Sequence, residues 1–456
     1  MTDNTPSGPR SEAEAIQAVC ALVEGVRQGA PNVKRLLERV LGFGDAEANE
    51  LLGRAGQAFV SGEDALFLLK TDRPAAVSIN DQPPLPLAPI EGTGYQYRLE
   101  TIRLGTTHNF LWQVGGRIVG GMGGTMHRSV AGYNPGSYPR DDAPQGILSE
   151  RRAITSQIYR GAVANYWVYT NPGIEPGDAS GRGAPVMIWL DGQNYVGLNG
   201  VLGVRMQTVT DNLVYRGLIP PMVHILIQPA AGGSLAPTTT LPGTTAESEL
   251  RSIQYDTVND DFGRHIMEEV IPEVERGGLK IRKDGYSRAM TGQSSGGIAS
   301  FCVAWHRPDE ISRVYSSIGS FTALQWHPEK GLDGGYIFPF LVRRDPKRNI
   351  RVWLSDGMMD IDFDSTVVPQ RVHLAGSWPL ANLQMAQALK TRLYDFHFRF
   401  GTAAHNSAQW ALDLPESLAW LWRDYDPNKT SQEFEQEPAE RAKPLYRVGV
   451  VNRDAW

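Results

Sequence analysis

Cysteine is nearly absent. The 456-residue chain holds two, Cys20 and Cys302, too few and too far apart for a disulfide framework or a cysteine metal motif, and both read as small buried apolar residues. Basic excess is missing too: 44 Lys and Arg stand against 50 Asp and Glu, a formal charge of −6. That balance leaves no electropositive face for nucleic acid and no polybasic anchor for a membrane. No run of about 18 apolar residues occurs, and the opening "MTDNTPSGPRSEAEAIQ" lacks a basic stretch followed by an apolar one. The expectation is a soluble cytoplasmic protein, exported only if a leader has been removed. Hydrophobic residues at 41% and charged ones at 21% are ordinary globular usage, while 48 glycines and 30 prolines indicate many turns. At about 150 residues per domain, the length predicts two or three domains.

Texture along the chain divides it further. Residues 1–10 are a polar tail expected to be disordered. Ser11 and Glu14 match a capping box ahead of Ile16, Val19, Val23 and Val26 at helical spacing. Pro31 and Gly42 bracket a second helix, and Leu51, Leu52, Ala55 and Phe59 lie on one side of a third, so 11–62 reads as a helical segment. Residues 63–125 carry short β-rich runs such as "LFLLK" and "HNFLWQVGGRI" between Pro- and Gly-rich turns, the pattern of a small immunoglobulin-like β-sandwich. Residues 126–154 read as a linker and 428–456 as a C-terminal extension.

From 155 to 427 strand and helix patterns alternate. Apolar runs occur at "YWVYT", "PVMIWL", "MVHILI", "YSRAMTG", "RVYSSIG", "IRVWLS" and "YDFHFRF". The fold class is therefore α/β, a mostly parallel sheet covered by helices, with active groups at the carboxyl ends of strands. After the fourth run comes "GQSSG", followed by a helical pattern through Ile298, Phe301, Cys302 and Trp305. Gly292 and Gly296 permit the tight strand-to-helix turn that lifts Ser294 above a sheet, the context a nucleophile elbow needs. The bland alternative is a serine that merely caps the helix.

A serine hydroxyl is a poor nucleophile without a base and an acid that orients the base. His405 follows the last strand run in "GTAAHNSAQW", whereas His397 and His224 lie inside strand runs and His327 lies on a loop where it lines a pocket at most. The acid comes from "DGMMDIDFD" after "IRVWLS": Asp360 first, with Asp356 and Asp362 as alternatives. The serine's attack makes an oxyanion, for which the backbone N–H groups of Ser295 and of Gln193, in "WLDGQNYVG", are candidate donors, although "DGQN" also reads as a simple turn. Tyr195, Trp326, His327 and Trp378 are candidate substrate contacts, with Trp410 also on a nearby segment; for any tryptophan, core packing competes with that role.

"VMIWLDGQNYVG", "RSIQYDTVNDDFGRHIMEEVIPEVE", "YSRAMTGQSSGGIASFCVAW" and "GTAAHNSAQWALDLPESLAWLW" together resemble the enterochelin esterase family and its esterase D-type relatives among the α/β-hydrolases. The resemblance spans about residues 155–427, and the β-rich module before it is similar to the early-set domain that precedes the hydrolase in enterochelin esterases. It implies ester hydrolysis with Ser294 as nucleophile, His405 as base, an acid from the 356–362 loop, and no metal or cofactor. The implied partner is a small-molecule ester. A ferric catecholate would want basic contacts, for which Arg251, Arg264, Arg343 and Arg344 are available; feruloyl and acetylxylan esters are the uncharged alternatives. Acyl transfer or lactone opening by the same residues, and glycan binding on a hydrolase scaffold, are the other readings.

Overall fold

The structure is a computed structural model that describes residues 12–42, 57–61, 63–79, 82–102, 107–119, 128–131, 135–137, 140, 142–174, 181–197, 204–234, 245–361 and 376–444. Asp362 and the third expected helix through Leu51, Leu52 and Ala55 lie outside the described residues. The chain forms two compact units, one of residues 1–122, 126–135 and 454–456, the other of 123–125 and 136–453.

In the first unit, among the described residues, α1 (Glu12–Arg27) and α2 (Val33–Leu41) precede nine strands: β1 (Gln57–Ser61), β2 (Asp64–Lys70), β3 (Ala75–Ile79), β4 (Leu85–Pro86), β5 (Ala88–Ile90), β6 (Tyr95–Thr101), β7 (Thr107–Val114), β8 (Arg117–Val119) and β9 (Arg128–Ala131). Two sheets result, ordered β1-β2-β6-β5 and β4-β3-β7-β8, with β9 on β7. Alternation along β2 explains how three layers share one strand. Ala65, Phe67 and Leu69 pack against Val77, Phe110 and Trp112 of the second sheet, while Leu66 and Leu68 pack under Leu22, Val23 and Leu37 of the helices. The amphipathic helices therefore roof the β-rich module instead of forming a body of their own. Phe59, expected on a helix, lies in β1, where the antiparallel pairing with β2 supplies the backbone hydrogen bonds and overrides local propensity.

The second unit is built on a nine-stranded sheet: β10 (Ile147–Leu148), β11 (Arg152–Thr155), β12 (Val163–Thr170), β13 (Val186–Leu190), β14 (Val223–Ile227), β15 (Arg288–Gln293), β16 (Arg313–Ser317), β19 (Arg351–Met359) and β20 (Asp395–Ala404), while β17 (Trp326–His327) and β18 (Leu332–Asp333) pair apart from it. Its order is β10-β12-β14-β13-β15-β16-β19-β20, with β11 on β12. From β14 to β20 the pairings are parallel; β12 runs antiparallel to β14. All seven expected strands are present. β10 and β11 add strands where a linker was expected.

Helices cover the sheet: α3 (Met206–Tyr215), α4 (Ala246–Asp256), α5 (Asp261–Arg264) and α6 (Ile271–Arg276) joined by a π-helical turn, α7 (Ser295–His306), α8 (Phe338–Arg344), α9 (Trp378–Thr391), α10 (Ala408–Leu421) and α11 (Pro438–Ala442). Two apolar layers fill the unit. One lies under α7 and α9 around Ile188, Ile225, Val314 and Val352; the other lies under α3 and α10 around Trp189, Trp353 and Trp410. β13 and β14 are buried throughout, as strands sandwiched between helical layers must be. The C-terminal extension closes the opposite end of the sheet: Phe434 is buried beneath the Arg313 and Arg351 guanidiniums, and its carbonyl accepts from Lys347 Nζ at 2.9 Å.

Candidate active site

The turn between β15 and α7 is held in a conformation that side chains rarely adopt. Ser294 has φ 55° and ψ −120°, and a residue with a side chain persists there only when its surroundings over-determine it. They do. Ser294 N–H donates to Ser317 O, and Ser320 N–H donates to Ser294 O, each at 3.0 Å. A Cβ on Gly292 would lie 2.6 Å from the carbonyl carbon of Gly296, so the two arms of the turn meet only because residue 292 is glycine.

The loops after β19 and β20 reach this serine. His405 Nε2 lies 3.0 Å from Ser294 Oγ, and its Nδ1 lies 2.5 Å from Asp360 Oδ1, which also accepts the Ile361 N–H. An acid that bonds one imidazole nitrogen leaves the other as the acceptor facing the hydroxyl. Asp360 is 3% exposed, and burial pushes its carboxyl above the ordinary carboxylate range. Burial holds the His405 imidazole below its ordinary value, opposed by the Asp356 carboxylate and assisted by Arg251, so the ring is a neutral acceptor at neutral pH. Asp356 does not reach His405 in this arrangement: its carboxylate accepts from Gly357 N–H at 2.7 Å and from Asn382 Nδ2 at 2.6 Å.

β13 lies beside β15, so the loop that follows it enters the same space. Asp191 has φ 57° and opens a short 3-10 turn, Gly192–Tyr195. A Cβ on Gly192 would fall 2.2 Å from the Leu226 carbonyl carbon, which accounts for the glycine in "DGQN". The loop and the elbow are neighbours: a Cβ on Gly296 would lie 3.3 Å from Asp191 Oδ2. Ser295 starts α7, where the first N–H groups have no partner within the helix. Gln193 Oε1 is buried without a hydrogen-bond partner among the described residues.

The candidate substrate contacts separate. Tyr195 is 2% exposed and packs on Trp189 and Trp410 at 5.6 and 5.5 Å, and Trp410 is itself buried, so both are core aromatics with no face for a ligand. Trp378 is 4% exposed; it sets an edge against the His405 ring at 5.7 Å and donates Nε1–H to Ser320 Oγ at 3.0 Å. Trp326 is exposed on the β17–β18 hairpin, and His327 next to it faces Glu329 at 3.4 Å. The remaining histidines weighed as bases are engaged elsewhere: His224 Nδ1 accepts from Trp189 Nε1, and His397 stacks on Trp353 at 4.1 Å.

The Esterase family matches residues 173–421, more than half of the chain. The chain belongs to this family. The iron(III) enterobactin esterase of Dickeya dadantii (strain 3937) is 23% identical over 286 residues, 59% of this chain and 53% of the relative, so the chain spans about half the length of that curated relative. Among solved structures, the enterobactin esterase of Shigella flexneri in the presence of 2,3-di-hydroxy-N-benzoyl-glycine gives a TM-score of 0.52 at 16% identity, covering 83% of this chain and 99% of that one. The ferric enterobactin esterase of Salmonella typhimurium gives 0.51 at 17% identity, with coverage of 83% and 99%. At these identities the likeness establishes the α/β-hydrolase-like fold.

Two residues of this candidate site escaped the sequence reading. Arg251, noted only as an available cation, holds Asp191 with two hydrogen bonds of 2.8 and 2.7 Å and stacks over Tyr255, fixing the loop that carries Gln193. The other three arginines are engaged locally: Arg264 with Glu268, Arg344 with Asp345, and Arg343 with Pro339 O. Ser320 was not singled out at all, although its Oγ lies 3.2 Å from Ser294 Oγ. The available signal was its position three residues past the end of β16, the strand beside the one that ends at the nucleophile.

Proposed function

We propose that this chain hydrolyses carboxylic esters with Ser294 as nucleophile, His405 as base and Asp360 as the orienting acid. The observation that carries the reading is the unbroken line from Asp360 Oδ1 through both His405 nitrogens to Ser294 Oγ, with steps of 2.5 and 3.0 Å. Ser294 Oγ attacks the ester carbonyl carbon as its proton passes to His405 Nε2, and the carbonyl oxygen becomes an oxyanion facing the N–H groups of Gln193 and Ser295. Collapse of the tetrahedral intermediate breaks the ester C–O bond, and His405 returns the proton to the departing alcohol. A water molecule, deprotonated by His405, then attacks the acyl-serine; the acid leaves and Ser294 regains its proton.

For the acid portion we propose an aromatic or catecholate group. The 2,3-di-hydroxy-N-benzoyl-glycine present with the Shigella flexneri enterobactin esterase supports it, as does Arg251, whose Nη1 is not spent on Asp191 and whose side chain is 31% exposed. The β-rich first unit we read as an immunoglobulin-like module, on its two facing sheets. The test compares wild-type protein and Ser294→Ala on p-nitrophenyl acetate, a ferric catecholate trilactone and a feruloyl sugar ester. Turnover by the variant is expected to fall by roughly 10⁴–10⁶, as losses of a triad member do. A variant that keeps a tenth of wild-type turnover excludes Ser294, and wild-type activity on the feruloyl ester alone overturns the catecholate choice.

A further inference from the structure

We propose that Ser320 is a fourth catalytic side chain, a hydroxyl that donates to Ser294 Oγ and is itself held by Trp378; this deepens the esterase reading and rests on it. Ser320 is fully buried. Its oxygen has two neighbours, Trp378 Nε1 at 3.0 Å and Ser294 Oγ at 3.2 Å.

The direction of these bonds follows from what each end can do. An indole N–H only donates, so at Ser320 it occupies an oxygen lone pair and leaves the hydroxyl proton free. Ser294 Oγ is the acceptor within reach of that proton. Ser294 then accepts from Ser320, so its own single proton points to His405 Nε2 at 3.0 Å. At the far end Asp360, when ionised, only accepts, which keeps the His405 proton on Nδ1. With Asp360 ionised, the bonds therefore run one way, Trp378 to Ser320 to Ser294 to His405 to Asp360.

Two consequences follow for the reaction. The resting hydroxyl of Ser294 does not rotate among acceptors; its proton is already aimed at the base. As that proton leaves, the partial negative charge that Ser294 Oγ carries until its bond to the carbonyl carbon is complete meets a hydrogen bond already in place, and hydrogen bonds to charged groups are stronger than those to neutral ones. The Ser320 proton stays on Ser320 throughout, so no further proton acceptor is needed. Trp378 is thus a positioning residue acting through Ser320, while its ring edge also packs on His405.

The experiment is a double-mutant cycle on full-length protein with a p-nitrophenyl ester as substrate and a fluorophosphonate as label for Ser294. Ser320→Ala should lower kcat and the labelling rate by about 10- to 100-fold, the range for a hydrogen bond to a charged group, with KM changed less than about twofold. Ser320→Thr, which keeps a hydroxyl, should restore most of the loss. Trp378→Phe should lower kcat several-fold in the wild-type background and add nothing to Ser320→Ala, because its effect passes through the serine. Melting temperatures identify any variant that loses activity by unfolding, and for such a variant Ser320→Thr and Trp378→Phe carry the comparison. The inference is overturned by a Ser320→Ala kcat within twofold of wild type, or by a Trp378→Phe effect that is fully additive. If Ser294→Ala is inactive in the same assay, either result removes Ser320 from the reaction and leaves the esterase reading standing.

Discussion

Replacing Asp360 with Asn separates the acid proposed to serve His405 from its neighbour Asp356. An Asn side chain has the same shape, so its carbonyl can still receive the Ile361 N–H that now reaches Asp360 Oδ1. What is lost is the charge opposite the imidazolium that forms during attack. Across about 4 Å at an effective dielectric of about 20, that interaction is worth about 4 kcal/mol, which corresponds to roughly a thousandfold in kcat/KM. Asp356→Asn removes a carboxylate that bonds Gly357 N–H and Asn382 and acts on His405 through its charge and through its neighbour Asp360 rather than by direct contact, so its activity loss should be the smaller of the two. Stability should respond in the opposite sense. Burial raises the Asp360 pKa above its unfolded value, so its ionised form disfavours folding increasingly as pH rises through the folded pKa. At pH 8, Asp360→Asn should therefore melt no lower than wild type. The assay is kcat/KM on a p-nitrophenyl ester at pH 8 alongside thermal melts. A larger activity loss from Asp356→Asn than from Asp360→Asn, or more than a tenth of activity left in Asp360→Asn, refutes the reasoning.

Three further outcomes are expected. Burial lowers the His405 pKa and raises that of Asp360, and a proton on either disables the pair, so the acid limb of kcat/KM should report the pair and move to lower pH in Asp360→Asn; a limb that Asp360→Asn leaves in place contradicts this. Trp326→Ala should raise KM for aromatic esters with little change in melting temperature, whereas Tyr195→Ala, in the core between Trp189 and Trp410, should cost about 3–5 kcal/mol of stability; a Tyr195→Ala variant with unchanged melting and raised KM reverses the two roles. Gly192→Ala places a Cβ 2.2 Å from the Leu226 backbone and should cost about 1–3 kcal/mol together with most of the activity, read by thermal melting and turnover; wild-type values in both exclude a tightly packed loop there.

Much of the catalytic unit was legible because its signals are local. Each strand that builds the parallel part of the sheet, β13 to β16 with β19 and β20, is an apolar run bounded by turn residues, and His405 and Asp360 stand directly after two of them. The elbow was legible for the same reason: Gly292, Ser294 and Gly296 encode one turn. What escaped depends on partners distant in sequence. β1 forms by pairing with β2, although its own residues fit a helical spacing. Arg251 matters through Asp191, sixty positions away. Tyr195 and Trp378 sit on segments that reach the site, but which way an aromatic turns from such a segment is settled by packing, and both turn inward. Ser320 looked like one small residue among several because its significance comes from Trp378 and Ser294 together.

The central claim is that Ser294 is the activated nucleophile. Its most direct test is covalent labelling by a fluorophosphonate, followed by peptide mass mapping, in wild type, Ser294→Ala and His405→Ala. The account predicts a single modified peptide centred on Ser294 in wild type, none in Ser294→Ala, and labelling slowed by at least about a hundredfold in His405→Ala. Modification at another residue, or wild-type labelling at Ser294 in the absence of His405, would contradict it.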